Sequence, residues 1–333
     1  MNVNYLFALI SVTVLGLLAY FGVETLGLKS IFGVLVPYVA VMIFIVGFVK
    51  KVMNWAKSPV PFRIPTTCGQ QQSLPWIKQN KIDNPSTTWG VVLRMFFEVV
   101  TFRSLFRNTK AEIKEKGIIS YELELLLWVA ALAFHYAFLA VVVRHMRFFL
   151  EPVPSCIVML EKLDGFFQIG LPIVLMSGIV LFAAVAYLFI RRITIPQMKY
   201  ISLAADYFPL FLIMAIAGTG IYMRYVARVD VVGVKEMTMG LVTLSPVIVP
   251  GVSTIVYVHL FLVCSLLAYF PFSKLMHAAG VFMSPTRNLA NNNRMVRHVN
   301  PWNPEKKFHT YEAYEDDFRE KMIEAGIPVE KEA

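Results

Sequence analysis

The chain has 333 residues, 57% of them hydrophobic and 16% charged, with a mean hydropathy of +0.61. That is too apolar for a soluble globular protein and points to an integral membrane protein. The formal charge of +9 would suggest nucleic acid in a soluble chain, but here the basic residues sort by connection and report topology, so no nucleic-acid partner is expected.

A helix needs about 20 apolar residues to cross a hydrocarbon core about 30 Å thick. Six segments qualify, at roughly 3–22, 31–49, 125–143, 167–190, 207–226 and 251–270. The first, "MNVNYLFALISVTVLGLLAYFGV", lacks a basic n-region and a clear cleavage site, and is read as a retained helix rather than a signal peptide. Of the 31 Lys and Arg, 24 fall in 50–118, 191–205 and 271–333, and 7 in the alternate connections. The positive-inside rule therefore predicts a multi-pass protein of the cytoplasmic membrane, with both termini and the 50–118 loop in the cytoplasm. The expected fold class is all-α, a polytopic bundle of six transmembrane helices in the lipid bilayer.

Within the long loop, "WGVVLRMFFEVVTFRSLFRNTKAEIKEKG" carries dense apolar residues with Arg94, Arg103 and Arg107. It reads as a basic amphipathic helix at the inner membrane surface, the alternative being a helix of a small soluble insertion. The tail from Ser284 mixes prolines, aromatics and both charges, and either docks on a neighbour or is disordered. Three cysteines, Cys68, Cys156 and Cys264, lie far apart and form neither CxxC nor CxxCH. That argues against covalently attached haem and against an iron–sulfur cluster on this chain.

Six histidines remain. His298 and His309 lie in the polar tail and read as solvated. The other four fall in or at the end of two spans: His135 and His145 in "FHYAFLAVVVRHMRFF", His259 and His277 in and just after the sixth. Ionisable residues inside a membrane are costly and mark functional positions by default. Ten residues separate the first two, about 15 Å along a helix, and eighteen the second two, about 27 Å if the helix runs straight. The third and sixth spans must run antiparallel, which pairs His145 with His259 toward the outside and His135 with His277 toward the inside. Facing histidine pairs are what two bis-histidine haems require. Pro271 can kink the chain between His259 and His277, and Ala131, Ala133, Ala137, Gly218 and Gly220 leave room. The alternatives are histidines that hydrogen-bond neighbouring helices, or a haem-free proton channel or transporter using Asp206, Arg224 and Asp230. Arg144 and Arg147, beside His145, either pair with haem propionates or snorkel to the interface.

The spacings of 10 and 18, with "YFPFSKLMH" at 269–277 and "VPYVAVMIFIVGF" at 36–48, resemble the gamma subunit family of respiratory nitrate reductase over roughly residues 31–280. The resemblance implies a five-helix cytochrome b with two haems b and menaquinol or menaquinone as substrate, spans two to six standing for the five helices. His135 and His277 would then ligate the iron of the haem nearer a cytoplasmic partner, and His145 and His259 that of the haem nearer an outer quinone site. In the family a lysine at the outer end of the next span contacts quinone; here "EKLDGFFQ" offers Lys162 and Asp164.

The extra first span, "FRSLFRNTKAEI" and the tail "RNLANNNRMVRHVNPWNPEKKFHTYEAYEDDFREKM" are similar to cytochrome b subunits of the DsrM type, from a membrane complex of sulfate reduction and sulfur oxidation. That similarity implies several partners: a cytoplasmic heterodisulfide reductase-like iron–sulfur subunit, a second quinone-interacting membrane protein, a periplasmic cytochrome c and a periplasmic iron–sulfur protein. It divides the chain into an additional helix at 1–30, a dihaem domain at 31–280 and a cytoplasmic tail at 281–333. The expected role is a redox subunit of a quinone-linked oxidoreductase complex, not a complete enzyme alone.

Overall fold

The computed structural model describes residues 3–58, 60, 69–113, 117, 119–167, 173–293, 295 and 308–331; Cys68 and His298 lie outside the described residues. Helix α1 (Asn4–Glu24) is followed by α2 (Val36–Ala56), which is entered through a π turn at Ile31–Leu35. Pro37 has no amide hydrogen to give to the first turn of α2, and the wider π turn absorbs the missing donor. The long connection holds α3 (Thr88–Thr101), α4 (Arg103–Phe106) and a hairpin of β1 (Thr109–Ile113) and β2 (Ile119–Leu123). Helix α5 (Leu125–His145) continues as a 3-10 turn to Phe148 and leads to α6 (Ser155–Asp164). Then come α7 (Met176–Thr194), α8 (Pro196–Ile201), and α9 (Ala204–Tyr222) with a terminal π turn at Met223–Ala227. After α10 (Val231–Val242), α11 (Thr254–Tyr269) stops at two 3-10 turns, Phe270–Phe272 and Lys274–Met276. Short helices α12 (His277–Met283) and α13 (Pro285–Asn288) and the tail helix α14 (Tyr311–Glu324) complete the chain.

Among the described residues, six helical stretches are long and apolar enough to span a bilayer: Asn4–Glu24, Ile31–Ala56, Leu125–Phe148, Met176–Thr194, Ala204–Ala227 and Thr254–Phe272. Their outward rows, such as Phe7, Ile10 and Leu17 on α1 and Met42, Val46 and Val49 on α2, are exposed. Such rows are stable only where the surrounding solvent is lipid, and the chain is a multi-pass membrane protein. Inside, α1, the π turn before α2, α9 and α11 enclose one core around Val12, Phe32, Leu212, Tyr257 and Leu262. A second core, around Ala137, Leu181, Val185 and Ile213, joins α5, α7 and α9. Helix α9 belongs to both cores, while α5 and α11 do not pack closely on one another.

Two expectations need correction. The fourth span begins at Met176, not 167: Leu175 is extended, and the Asp164 carboxylate accepts hydrogen bonds from Ser177 N and Oγ at 2.6 Å each, fixing the helix start. The helix expected through residues 89–117 ends at Thr101. Phe102 takes a left-handed conformation (φ 51°), and the chain then turns into the hairpin, with Thr109 opposite Leu123 and Ile113 opposite Ile119. The break lets α3 dock on α5: Trp128 Nε1 donates to Thr101 O and Tyr136 Oη to Val100 O, both at 2.8 Å.

The segment after α13 folds onto the 69–87 segment. Asn291 N donates to Pro85 O at 2.7 Å, the Asn291 amide to Asn84 Oδ1, and Arg287 pairs with Glu98 at 3.1 Å. These contacts make one polar layer over the end of the bundle where α2 finishes. Of the tail, 311–324 is helical, capped by Thr310, whose hydroxyl accepts from Ala313 N.

Candidate functional site

Helix α5 presents His135 and His145 ten residues apart, with about a quarter-turn of offset. Each ring is held by its own helix: Nδ1 of His135 meets Ala131 O, and Nδ1 of His145 meets Val141 O, both at 2.7 Å. His277 opens α12, and its Nδ1 meets Lys274 O at 2.8 Å, a carbonyl made available by the 3-10 turn preceding it. A backbone carbonyl can only accept, so the proton of each of these imidazoles is on Nδ1 and the lone pair on Nε2.

His259, on α11, is held from another helix. Its Nδ1 lies 2.8 Å from Thr219 Oγ1 of α9. The Thr219 hydroxyl donates to Ala215 O at 2.7 Å, so toward His259 it accepts. Once again Nε2 carries the lone pair.

The structure brings the four together as two pairs. His135 and His277 have ring centroids 6.0 Å apart, and His145 and His259 6.5 Å apart. Among the described residues no group of three or more His, Cys, Asp and Glu converges in metal-binding fashion. Two imidazoles bound on opposite faces of one metal, each about 2 Å from it, hold their centroids roughly 6 Å apart. Both separations match. Ligating histidines commonly donate the other ring N–H to a carbonyl or a similar acceptor, which fixes the tautomer, and all four do so here. The donor set and its spacing fit bis-histidine haem.

The eighteen-residue separation also becomes compatible with the ten-residue one. Helix α11 stops at Tyr269, and the turns around Pro271 shorten the path to His277. Beside His135 and His277 opens a cavity of about 1230 Å³, lined among others by Lys51, Trp55, Phe102, Tyr136 and Tyr269. Phe102 and Phe134 stand edge-on to His135, each with centroids 4.8 Å away.

The remaining named residues have definite partners. Arg144 and Asp164 form a buried pair, Nε to Oδ2 3.0 Å, with side chains 11% and 7% exposed. Arg147 pairs with Glu161, and Lys162 is exposed on α6. Asp206 caps α9 through Leu203 N and pairs with Lys274 at 2.6 Å. Asp230 caps α10 through Val232 N, and Arg224 donates to Ile173 O at 3.3 Å. His309, exposed in the tail, lies 3.2 Å from Asp317. Thr219 was not anticipated. Its signal is a hydroxyl between two glycines, "AGTGI", inside an apolar span.

A profile of the nitrate reductase gamma subunit family matches residues 88–299, a stretch that holds all four paired histidines. The chain is 46% identical over 281 residues to the Hdr-like menaquinol oxidoreductase cytochrome b-like subunit of Archaeoglobus fulgidus, covering 82% of this chain and 84% of that protein. To the protein of the same description from Archaeoglobus profundus it is 41% identical over 275 residues, covering 80% and 81%.

Proposed function

The chain belongs to the nitrate reductase gamma subunit family, and from that premise we propose that it is the cytochrome b subunit of a menaquinol-linked respiratory complex, binding two haems b. The observation that carries this is the histidine geometry: two facing pairs at 6.0 and 6.5 Å, every Nδ1 engaged and every Nε2 left as the ligating nitrogen. Bound there, the haems supply a one-electron relay between menaquinol or menaquinone at one end of the bundle and a protein partner at the other.

The residues do the holding. His135 and His277 take the iron at the end of the bundle that carries the polar layer, and His145 and His259 take the other, about 15 Å away along α5. Lys51, which lies over the Trp55 ring at 5.6 Å and lines the cavity beside His135 and His277, supplies positive charge for propionates there. Arg144 and Arg147 stand next to the outer pair with their charge met by Asp164 and Glu161. The Phe102 and Phe134 rings cover His135 edge-on, while His277 is exposed at the cavity mouth.

The excess of basic residues in the connections at that end supports a cytoplasmic polar layer. A heterodisulfide reductase-like iron–sulfur subunit docks there, and the two relatives described as Hdr-like menaquinol oxidoreductase subunits support that reading. Quinol chemistry belongs to the opposite end, so electrons cross inward while protons leave outside. Sulfur metabolism is the setting that the similarity of the loop and tail favours, with further periplasmic and membrane subunits in the same complex.

The test is a pyridine haemochrome assay on purified protein with single His→Ala variants at 135, 145, 259 and 277. Two haems b per chain are expected, each variant losing one, with 135 and 277 alike and 145 and 259 alike. Folded wild-type protein with no haem would sink the proposal and bring the histidine proton channel forward.

A further inference from the structure

Three of the four histidines are oriented by a carbonyl of their own segment; His259 alone is oriented by a side chain from a neighbouring helix. The bonds run in series, from His259 Nδ1–H to Thr219 Oγ1, and from the Thr219 hydroxyl to Ala215 O. The His259 ring lies against the same turn of α9, since a Cβ added at Gly220 would meet its Cε1 at 3.5 Å. The Ile216 carbonyl of the same turn is a second, weaker acceptor for the ring, shared with the α9 ladder and with the Thr219 hydroxyl at 3.0 Å. Thr219 borders a second, apolar crevice shared with α1, lined by Leu9, Val12 and Gly16. The ring's orientation is thereby tied to how α9 sits against α11, which carries it.

Resting on the two-haem reading above, we propose that Thr219 is a positioning residue that fixes His259 as an Nε2 ligand and sets the potential of the haem held with His145. The physical reason is donor strength. A hydrogen-bond acceptor at Nδ1 makes the imidazole a better electron donor to iron, and a better donor favours the ferric state. The acceptor here is a hydroxyl strengthened by its own donation to Ala215. Replacing it by a methyl group of nearly equal size takes that acceptor from Nδ1–H and leaves the ring only the Ile216 carbonyl, which the α9 ladder already uses, so the ferrous state gains.

The experiment is redox potentiometry of the purified protein by visible absorption, on wild type, Thr219→Val and Thr219→Ser, with His145→Ala identifying which potential belongs to the outer pair. Thr219→Val should keep two haems. Its outer-haem ferrous-to-ferric ratio at a fixed potential should rise about tenfold, an upward shift of about 59 mV for one electron. The other haem should not move, and Thr219→Ser should stay within about twofold of wild type, because it keeps the hydroxyl. Loss of the outer haem in Thr219→Val with retention in Thr219→Ser would support the same role. Two haems with unchanged potentials in Thr219→Val would overturn it and leave the two-haem reading intact, as would equal damage from Thr219→Ser. Absence of b haem from the wild type would overturn the two-haem reading itself and this proposal with it.

Discussion

Asp164 supports two structures at once, and removing it should reveal both. Its carboxylate holds Arg144 at 3.0 Å in a pair whose side chains are 11% and 7% exposed, and it caps α7 through Ser177 N and Oγ at 2.6 Å each. Taking one partner from a buried ion pair costs about 3–5 kcal/mol, because the other charge is left without compensation. Losing the cap adds about 1 kcal/mol. Asp164→Ala should therefore destabilise the protein by roughly 4–6 kcal/mol. Asp164→Asn keeps an acceptor for Ser177 N and should lose only the ion-pair part. The double variant Arg144→Met/Asp164→Leu removes both charges together and should recover most of the loss, since a buried pair replaced by apolar groups is often close to neutral. Unfolding in mixed micelles, followed by far-ultraviolet circular dichroism against denaturant, ranks the four proteins. An Asp164→Ala loss below about 1 kcal/mol would be the range of an exposed pair and would refute the argument. So would a double variant no more stable than Asp164→Ala.

Three further outcomes follow from particular contacts. Tyr136→Phe removes the 2.8 Å bond to Val100 O at a cost of about 1 kcal/mol, so amide exchange across 88–101 should speed up about fivefold while exchange in α7 does not change. Gly47 lies so close to Pro271 that an added Cβ would sit 2.7 Å from the proline Cβ; Gly47→Val should cost about 1–3 kcal/mol and reduce haem at the His135–His277 end more than at the other, read by potentiometry. Asp83 is pushed up by burial but held below the usual carboxylate range by the hydrogen bonds and charge of Arg103 and the charge of Arg107, which outweigh it. Its contribution is therefore present above the unfolded value, near 3.9, and is lost as pH falls through the lower folded value. Amide exchange in 69–113, corrected for intrinsic rates, should be level from about pH 7 to 5 and rise only below about pH 4, whereas Asp83→Asn should be raised throughout with no acid step.

The spans could be read directly, because runs of about 20 apolar residues have few other uses in a chain this hydrophobic. The histidine pairs were also accessible: ionisable groups stand out in such helices, and antiparallel helices permit only one pairing. The fold beyond this depended on tertiary contacts. The helix expected through 89–117 stops because Phe102 turns left-handed, and the hairpin after it was present in the text as the period-two runs "TKAEI" and "ISYEL" around Gly117. The apolar helical pattern before them is the stronger local signal. Asp164 stood out as a charge near a membrane end, but nothing local says that a carboxylate twenty residues after Arg144 closes back on it. Thr219, between Gly218 and Gly220, carries no local mark that ties its hydroxyl to a histidine of another helix.

The break after α11 does more than shorten a helix. On α5 the two histidines are about 15 Å apart, while eighteen residues of unbroken helix would set the other two about 27 Å apart, so a straight α11 could serve one pair but not both. Pro271 withholds the amide that would continue the ladder, and Ser273 Oγ accepts from Leu275 N to begin the next turn. The turn in turn exposes Lys274 O to His277 Nδ1 and sends Lys274 Nζ to Asp206 at the start of α9. One interruption thus sets the height of His277, its tautomer and its tie to α9. Since α9 also carries the hydroxyl that orients His259, both α11-side histidines are placed with reference to α9, and both α5-side histidines with reference to α5 alone. Under the proposed function, a shift of α9 relative to α5 would disturb one histidine of each pair together, while α2 would act directly on the His135–His277 end through Lys51 and Trp55, which line the cavity there.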